Sequence, residues 1–460
     1  MQRRTVLSSA VLTATAAFGL SACSKSKTGT QKAADADPKA PVTITISGRP
    51  TPDNAASLKS FNAKVEAFKK KYPNVTAKTT EDKWDAQTFQ AKIAAGTLPT
   101  IMGVPFTDIQ SLIGRGQVAD LTDYLAKDDV LSELNADTSK IAKKNGKSYG
   151  VVTAAYTMAI SYNRALYKKA GLDPDTPPGS WDDLYNNTVA ISQKTGTPGL
   201  VIATTDNVGG WIATTMSYGF GSLAQQGSGD SVKATLTSDG MKQALQFLQK
   251  VRWQGNAFGR NILQSNDDNS KAFGANRAGH VINGGDLYSR MITQFGMKPD
   301  DYGIGPIPQA DNGLGALGGG TVQIISPKAS ANETLAGLNW IKFNSLQQYF
   351  DKDLAVSNAK ASVADKLPVG VPILPVLSDK LNEQYLGWIK EYINVPRDHF
   401  DTYVESFSSL PIVPEPAVKG QETYASLDSV VQAVLGRKNA DIAALLEKAQ
   451  KDVQGQIDAA

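Results

Sequence analysis

A chain of 460 residues, 41% hydrophobic and 20% charged, is long enough to bury a substantial core and, at roughly 100–200 residues per domain, to form two or three domains or two large lobes. Its 47 Lys and Arg against 44 Asp and Glu leave a net charge of only +3, which argues against a nucleic-acid binder, since that needs a basic face. One cysteine and two histidines exclude a disulfide within the chain and leave too few ligands for a structural zinc, which takes four Cys or His.

The chain opens with Arg3 and Arg4, continues through an apolar stretch from Val6 to Leu20 diluted by Ser and Thr, and reaches Leu20-Ser21-Ala22-Cys23. The apolar part is too short and too diluted to span a bilayer, so residues 1–22 are expected to be a cleaved export signal. The Leu-Ser-Ala-Cys tetrad resembles the lipobox of bacterial lipoproteins. That resemblance implies a diacylglyceryl group on Cys23, cleavage just before it, and membrane attachment through the lipid. Several acyl chains on one residue meet the two-signal requirement for stable anchoring. The Arg pair resembles a twin-arginine signal, but Gln2 and Val6 depart from its surroundings, which leaves the export route open. From Ser24 to Pro41 there is no aromatic residue and no aliphatic one larger than Ala. Residues 23–41 therefore read as the lipidated cysteine and a flexible tether with too little apolar surface to order itself. At about 3.3–3.6 Å per residue it could reach roughly 60 Å.

The folded part begins with alternation in Val42-Thr43-Ile44-Thr45-Ile46, a half-buried strand. A helix follows, carrying Leu58, Phe61, Val65, Phe68 and Tyr72 at spacings of three and four. Pro73-Asn74 ends that helix, Val75 to Thr80 reads as a second strand, Trp84 to Ala95 as a helix closed by Gly96, and Thr100 to Val104 as a third strand. Strand and helix in alternation predict an α/β fold with a mostly parallel, covered sheet. Such sheets bind ligands beyond the carboxyl ends of their strands. Here those ends are Gly48-Arg49-Pro50, Glu81 to Trp84, and Pro105 to Asp108.

Between Tyr149 and Tyr162 two short β segments are expected to meet around Thr153-Ala154-Ala155-Tyr156, with a helix starting near Asn163. Ser180-Trp181-Asp182-Asp183 has the form of an N-cap with acids in the first turn. Further α/β elements follow: Leu200 to Thr204, a helix from Trp211 to Tyr218, another through Met241, Leu245, Leu248 and Val251, and a strand Val281-Ile282-Asn283 leading into Gly284-Gly285-Asp286. The C-terminal stretch reads as two helices, one with Leu427, Val430, Val431 and Val434 and one with Ile442, Leu445 and Leu446.

Seven fragments then occur in one order: Phe68 to Val75 (FKKKYPNV), Ala94 to Pro99 (AAGTLP), Gly116 to Leu121 (GQVADL), Gly146 to Gly150 (GKSYG), Ser161-Tyr162-Asn163, Pro177 to Leu184 (PPGSWDDL) and Gly303 to Pro308 (GIGPIP). Together they resemble the sugar-binding branch of the extracellular solute-binding proteins of ABC importers, the group that includes maltose-binding protein. The lipobox agrees, because Gram-positive members of that family are similar in being lipid-anchored. The resemblance implies a two-lobed, periplasmic-binding-protein-like fold with a hinge and a ligand cleft. One lobe would comprise residues 42–153 and about 304–352, the other about 154–303 and 353–460. It implies a monomer on the extracytoplasmic face of the membrane, with a carbohydrate ligand, importer permease subunits as partners, no cofactor and no catalytic residue.

Sugars present flat C–H faces and rings of hydroxyls, so aromatic platforms and carboxylates, amides or Arg are the side chains to expect. Trp211, after Asp206-Asn207-Val208-Gly209-Gly210, and Trp84, beyond the second strand, are the candidate platforms. Trp181 and Trp340 read as core, and Trp253 and Trp388 fit either core or cleft. Candidate hydroxyl binders are Arg49 at the end of the first strand, Asp286 with Tyr288, and Asp206, with Glu81 and Asp108 in strand-end loops. Tyr156 is a candidate because the resemblance puts a ligand-facing residue at the hinge. Several relatives carry an aromatic residue near Asp286, so the acid implies a different sugar or register. Gly318-Gly319-Gly320 would let backbone approach a ligand, and a plain turn explains it equally.

Rival readings are a cell-surface glycosidase, which needs two carboxylates roughly 5–10 Å apart, and an adhesive surface lipoprotein without a closing cleft. No glycosidase motif is visible, and no Gly-x-Ser-x-Gly elbow accompanies the two imidazoles, His280 and His399. Gly313 to Gly318 matches G-x-G-x-x-G but precedes a strand, the reverse of the context a dinucleotide site needs.

Overall fold

The computed structural model describes residues 32–227 and 231–459. Cys23, the signal segment and the first part of the tether lie outside them. The chain alternates β1 (Val42–Ile46), α1 (Ala55–Lys71), β2 (Val75–Thr79), α2 (Ala86–Ala95), β3 (Ile101–Pro105) and α3 (Phe106–Gly114) before the long strand β4 (Val151–Asn163). Then come α4 (Trp181–Thr195), β5 (Leu200–Val201), α5 (Val208–Gly219), α6 (Asp239–Gln249), β6 (His280–Gly284), α7 (Leu287–Phe295) and β7 (Tyr302–Pro306). The last part holds β8 (Ala316–Ile325), α8 (Ala331–Ile341), α9 (Lys352–Ala364), α10 (Asp379–Ile389), α11 (Asp401–Ser409), β9 (Ile412–Val413), α12 (Gly420–Gly436) and α13 (Ile442–Asp458).

Local signals set these boundaries. Asn54 caps α1 by accepting from the Ser57 amide, and Asp85 caps α2 in the same way from Thr88. Ser180 accepts from the Asp183 amide at 3.0 Å, as its N-cap pattern predicts. Gly96, Gly171 and Gly196 end their helices in the left-handed region, where a side chain would strain the backbone.

The strands form one nine-stranded sheet in the order β2-β1-β3-β8-β4-β6-β5, with β7 also on β4 and β9 on β8. It is mixed, not mostly parallel. β1 runs parallel to β2 and β3, and β6 to β5, whereas β8 and β4 run antiparallel to their neighbours in the middle of the order. These two central strands serve both halves of the molecule. Val151, Val152 and Ala155 of β4 and Val322, Ile324 and Ile325 of β8 pack in a core with Ile44, Phe68, Ile101 and Trp340. Met158 and Ile160 of β4 and Leu317 of β8 pack in another with Ile212, Met216, Leu245, Val431 and Leu446. Each strand passes from one core to the other within a few residues, which gives the two-lobed α/β form.

Three local expectations differ from the structure. The two short segments expected around Tyr156 are one strand of 13 residues, continuous because β8 pairs its first half and β6 and β7 its second. Leu374, Val376 and Leu377, expected in the second lobe, pack in the first core, where Asn135 donates its amide to the Val376 carbonyl at 3.0 Å. Residues 32–41, expected to be tether, are pinned to the first lobe. The Asp37 amide donates to Asn332 Oδ1 at 2.7 Å, and Asn74 Nδ2 donates to the Pro38 and Ala40 carbonyls at 3.0 Å each. The segment borrows its order from those side chains, which its own composition could not supply.

Candidate functional site

Where β4 and β8 change lobes, Tyr156 lies opposite Gly319 in the register. A Cβ on Gly319 would stand 2.4 Å from Tyr156 Cζ and Oη, and one on Gly320 2.8 Å from Phe106 Cε1. The glycines are therefore strand residues, not a turn, and their bare backbone is what the two rings lie on. Tyr156 meets Trp211 edge to face, with centroids 6.4 Å apart at 86°, an arrangement that suits ring quadrupoles.

Trp211 is held there by the start of α5. Asp206 and Asn207 adopt left-handed backbone, φ 60° and 69°, which Asn and Asp tolerate better than most residues. The turn aims the Asn207 and Gly210 amides at Asp428 of α12, whose two carboxylate oxygens accept from them at 2.8 and 2.7 Å. A carboxylate from a distant helix thus caps α5. Burial raises the pKa of Asp428, and the amide hydrogen bonds act against that rise. Gly210 allows the close approach of the two helices, since a Cβ there would stand 2.1 Å from the Tyr424 carbonyl oxygen.

Glu415 sits between the lobes, two residues after β9. It accepts a hydrogen bond from the Thr107 hydroxyl at the start of α3. The Trp211 indole N–H and the Tyr424 hydroxyl lie near the same carboxylate and draw its pKa down, yet neither closes a well-aligned hydrogen bond. Burial outweighs these donors and raises the Glu415 pKa, with the charge of Asp108 adding to the rise. The Tyr156 hydroxyl is raised by burial first, then by Glu415 and Asp286.

Together these groups line an open cavity of about 280 Å³. Phe106 and Thr107 come from the first lobe, Tyr156, Gly319 and Gly320 from the crossing strands, Asp206, Asn207 and Trp211 from the α5 end, and Glu415, Gln421 and Tyr424 from the C-terminal segment. The volume is just under the range of about 300–1,000 Å³ typical of small-molecule sites. Aromatic faces, hydroxyls, amides and carboxylates converge in it, the set that hydroxyl-rich ligands require. A larger crevice of about 610 Å³ lies between Gln110, Lys140 and Lys143 on one side and Phe407, Leu410 and Ile412 on the other. Phe106 and Gly318 line it, but none of the candidate ligand-binding side chains does.

Of the expected residues, Tyr156, Asp206 and Trp211 share the small cavity, and Asp286 is close enough for its charge to act on Tyr156. Asp286 keeps part of its surface exposed, and partial burial raises its pKa. Trp84 and Asp108 are brought together at the ends of β2 and β3. Burial raises the Asp108 pKa, the indole N–H of Trp84 lowers it, and Glu422 raises it again. Trp84 also packs on Phe89 at 4.9 Å. Arg49 and Glu81 form a partly exposed ion pair at 2.7 Å. Tyr288 is elsewhere. It is 1% exposed and packs edge-on against Tyr302 and Phe400 at 5.1 and 5.4 Å, because α7 turns it away from Asp286 and into a core. Trp181 and Trp340 are core as expected. Trp253 donates its N–H to the Val434 carbonyl at 3.0 Å, and Trp388 packs beside Ile389.

Thr107, Glu415, Gln421 and Tyr424 are cavity residues that the sequence reading missed. The only local signal was Glu415 between Pro414 and Pro416, an acid in a stretch unsuited to regular structure.

Residues 51–345 match a family model described as bacterial extracellular solute-binding protein. An arabinooligosaccharide-binding protein of Bacillus subtilis is 30% identical over 165 residues, 35% of each chain. A maltooligosaccharide ABC transporter solute-binding lipoprotein of Streptococcus pneumoniae is 26% identical over 255 residues, 52% of this chain and 54% of its own. The chain thus spans between about a third and a half of the length of these curated relatives. The solved structure of a cyclic alpha-maltosyl-1,6-maltose binding protein from Arthrobacter globiformis superposes with a TM-score of 0.66 at 19% identity, covering 91% of this chain and 100% of that one. The sugar-binding protein of Xanthomonas citri gives a TM-score of 0.69 at 14% identity, with coverage of 91% and 98%. At such identities the likeness is one of fold.

Proposed function

Because the chain belongs to the bacterial extracellular solute-binding protein family, we propose that it captures a mono- or oligosaccharide between its lobes and delivers it to the permease subunits of an ABC importer. The observation that carries this reading is the inter-lobe cavity in which Trp211 and Tyr156 offer ring faces while Thr107, Asp206, Asn207 and Glu415 offer polar atoms. Relatives named for arabinooligosaccharide and maltooligosaccharide binding support the ligand class. Arg49, Glu81, Trp84, Asp108 and Asp286 belong to the cleft edge in this reading, and Tyr288 supports it from the core.

The protein works by differential affinity. A sugar that contacts both lobes only in the closed form shifts the population toward that form, and the permease recognises it. No bond is made or broken, so the chain is a receptor and not an enzyme. It acts as a monomer on the extracytoplasmic face, anchored through lipid on Cys23. With residues 32–41 docked on the first lobe, only residues 24–31 separate the anchor from the body. At about 3.3–3.6 Å each they hold it within roughly 30 Å of the lipid.

Isothermal titration of the chain lacking residues 1–23 against mono-, di- and oligosaccharides tests this, with the same mixtures assayed for hydrolysis. Saturable binding with the sugar left intact is the expected result. Turnover would make the protein a glycosidase, and silence across the panel would favour a non-sugar solute or an adhesive role.

A further inference from the structure

The inter-lobe cavity has an unbalanced charge. Among its lining residues are two carboxylates, Asp206 and Glu415, and no Lys, Arg or His. Lys419, two residues before the lining residue Gln421, is engaged with Glu422 at 3.1 Å. Glu415 accepts from the neutral Thr107 hydroxyl, and the like charge of Asp108 acts on it from across the cleft. Glu415 is half-buried and Asp206 exposed, so the lining carries two negative charges with no counter-charge among its own residues, and a cationic ligand group can supply one.

The walls around that carboxylate are aromatic. Phe106, Tyr156, Trp211 and Tyr424 all line the cavity with Glu415. Tyr424 is 2% exposed, and its hydroxyl, like the Trp211 indole N–H, is buried without a hydrogen-bond partner. Ring faces attract cations through their quadrupoles, most strongly where water is excluded, and aromatic cages beside a carboxylate suit ammonium groups.

We propose that the cavity holds a positively charged group of the ligand, so that the preferred saccharide is an amino sugar whose ammonium sits among Trp211, Tyr156 and Tyr424 against Glu415. This rests on the carbohydrate-receptor reading above and narrows it. The hydroxyls of the same ligand are bound by the polar atoms of Thr107, Asp206, Asn207 and Gln421.

The test uses the purified protein and saccharides that differ only in N-acetylation, which removes the charge. The pairs are glucosamine and N-acetylglucosamine, galactosamine and N-acetylgalactosamine, and β-1,4-linked glucosamine oligomers with their acetylated forms. Each pair is titrated calorimetrically at a pH that keeps the amine charged. The expected result is at least about tenfold tighter binding of the amino form in one pair or more, and a ratio near one in Glu415→Gln, whose folding is checked by thermal melting. The wild-type ratio stands as a test even if that variant fails to fold. Equal or tighter binding of the acetylated partners, or binding of neutral sugars alone, overturns this inference and leaves the receptor reading intact. Failure of every saccharide, charged or neutral, overturns both.

Discussion

The Thr107 hydroxyl donates to the Glu415 carboxylate across the cleft, joining the first turn of α3 in one lobe to the segment after β9 in the other. A hydrogen bond to a charged group contributes about 1.5–3 kcal/mol. Thr107→Val is therefore expected to shift the balance of closed and open forms by about tenfold or more toward open. Small-angle scattering of the ligand-free protein should show a larger radius of gyration, with a matching loss of ligand affinity. Unchanged scattering would mean that other contacts hold the lobes together.

Two tryptophans separate the cavity wall from the core. Trp211 borders the cavity, whereas Trp181 stacks on Phe220 at 4.4 Å inside the second core. Trp181→Ala is expected to destabilise the fold by about 3–5 kcal/mol, visible in urea unfolding, with binding retained by the folded fraction. Trp211→Ala should abolish or strongly weaken binding for a smaller loss of stability. If the two variants lose affinity and stability in parallel, Trp211 is a core residue and the platform assignment fails.

What was legible from the sequence follows from how local each signal was. β1 to β3 and the helices between them stand out because alternation and i, i+4 spacing are written in consecutive residues. β4 does not read as one strand, because Ala154-Ala155 is weakly β-forming and its continuity depends on partners from both lobes. Gly318 to Gly320 reads equally as a turn or as backbone near a ligand, since nothing nearby in the chain reveals the rings of Tyr156 and Phe106 that need the bare backbone. Asp206 and Trp211 were found because they follow a strand end. Glu415 and Tyr424 join them from more than 200 residues away, a distance over which pattern carries no information. Tyr288 lies in the core and not beside Asp286, because the helix that begins at Leu287 turns it inward.

His280 makes the acid side of the stability profile predictable. The ring is fully buried, with Nδ1–H donating to the Gly199 carbonyl at 2.7 Å and Nε2 accepting from the Tyr167 hydroxyl at 2.7 Å. This arrangement uses the neutral imidazole, and burial lowers its pKa from 6.5 to about 4. The folded pKa lies below the unfolded one, so the stabilisation is complete above 6.5 and is lost as pH falls toward about 4. That loss amounts to about 3 kcal/mol. The buried carboxylates run the other way, since a raised folded pKa favours the fold at lower pH. The comparison that isolates the imidazole is therefore wild type against His280→Asn. Their difference in unfolding free energy should be largest at neutral pH and shrink through this window, and a constant difference would rule out the buried neutral ring.

Two glycines give opposite expectations for the same substitution. Gly387 lies in the exposed interior of α10, where an added Cβ meets nothing within 4 Å. Gly387→Ala should then stabilise the protein by about 0.5–1 kcal/mol through the lower entropy of the unfolded chain. Gly319 is the reverse case, because its Cβ would fall 2.4 Å from the Tyr156 ring. In Gly319→Ala that ring must move, and the space open to it is the cavity itself. The strain is expected to cost about 1–3 kcal/mol and the displaced ring to reduce ligand affinity by far more than Gly387→Ala does. Thermal melting and titration of both variants measure the two effects separately. Normal affinity in Gly319→Ala would show that Tyr156 does not border the bound ligand, since a ring pushed into an occupied site cannot leave binding unchanged.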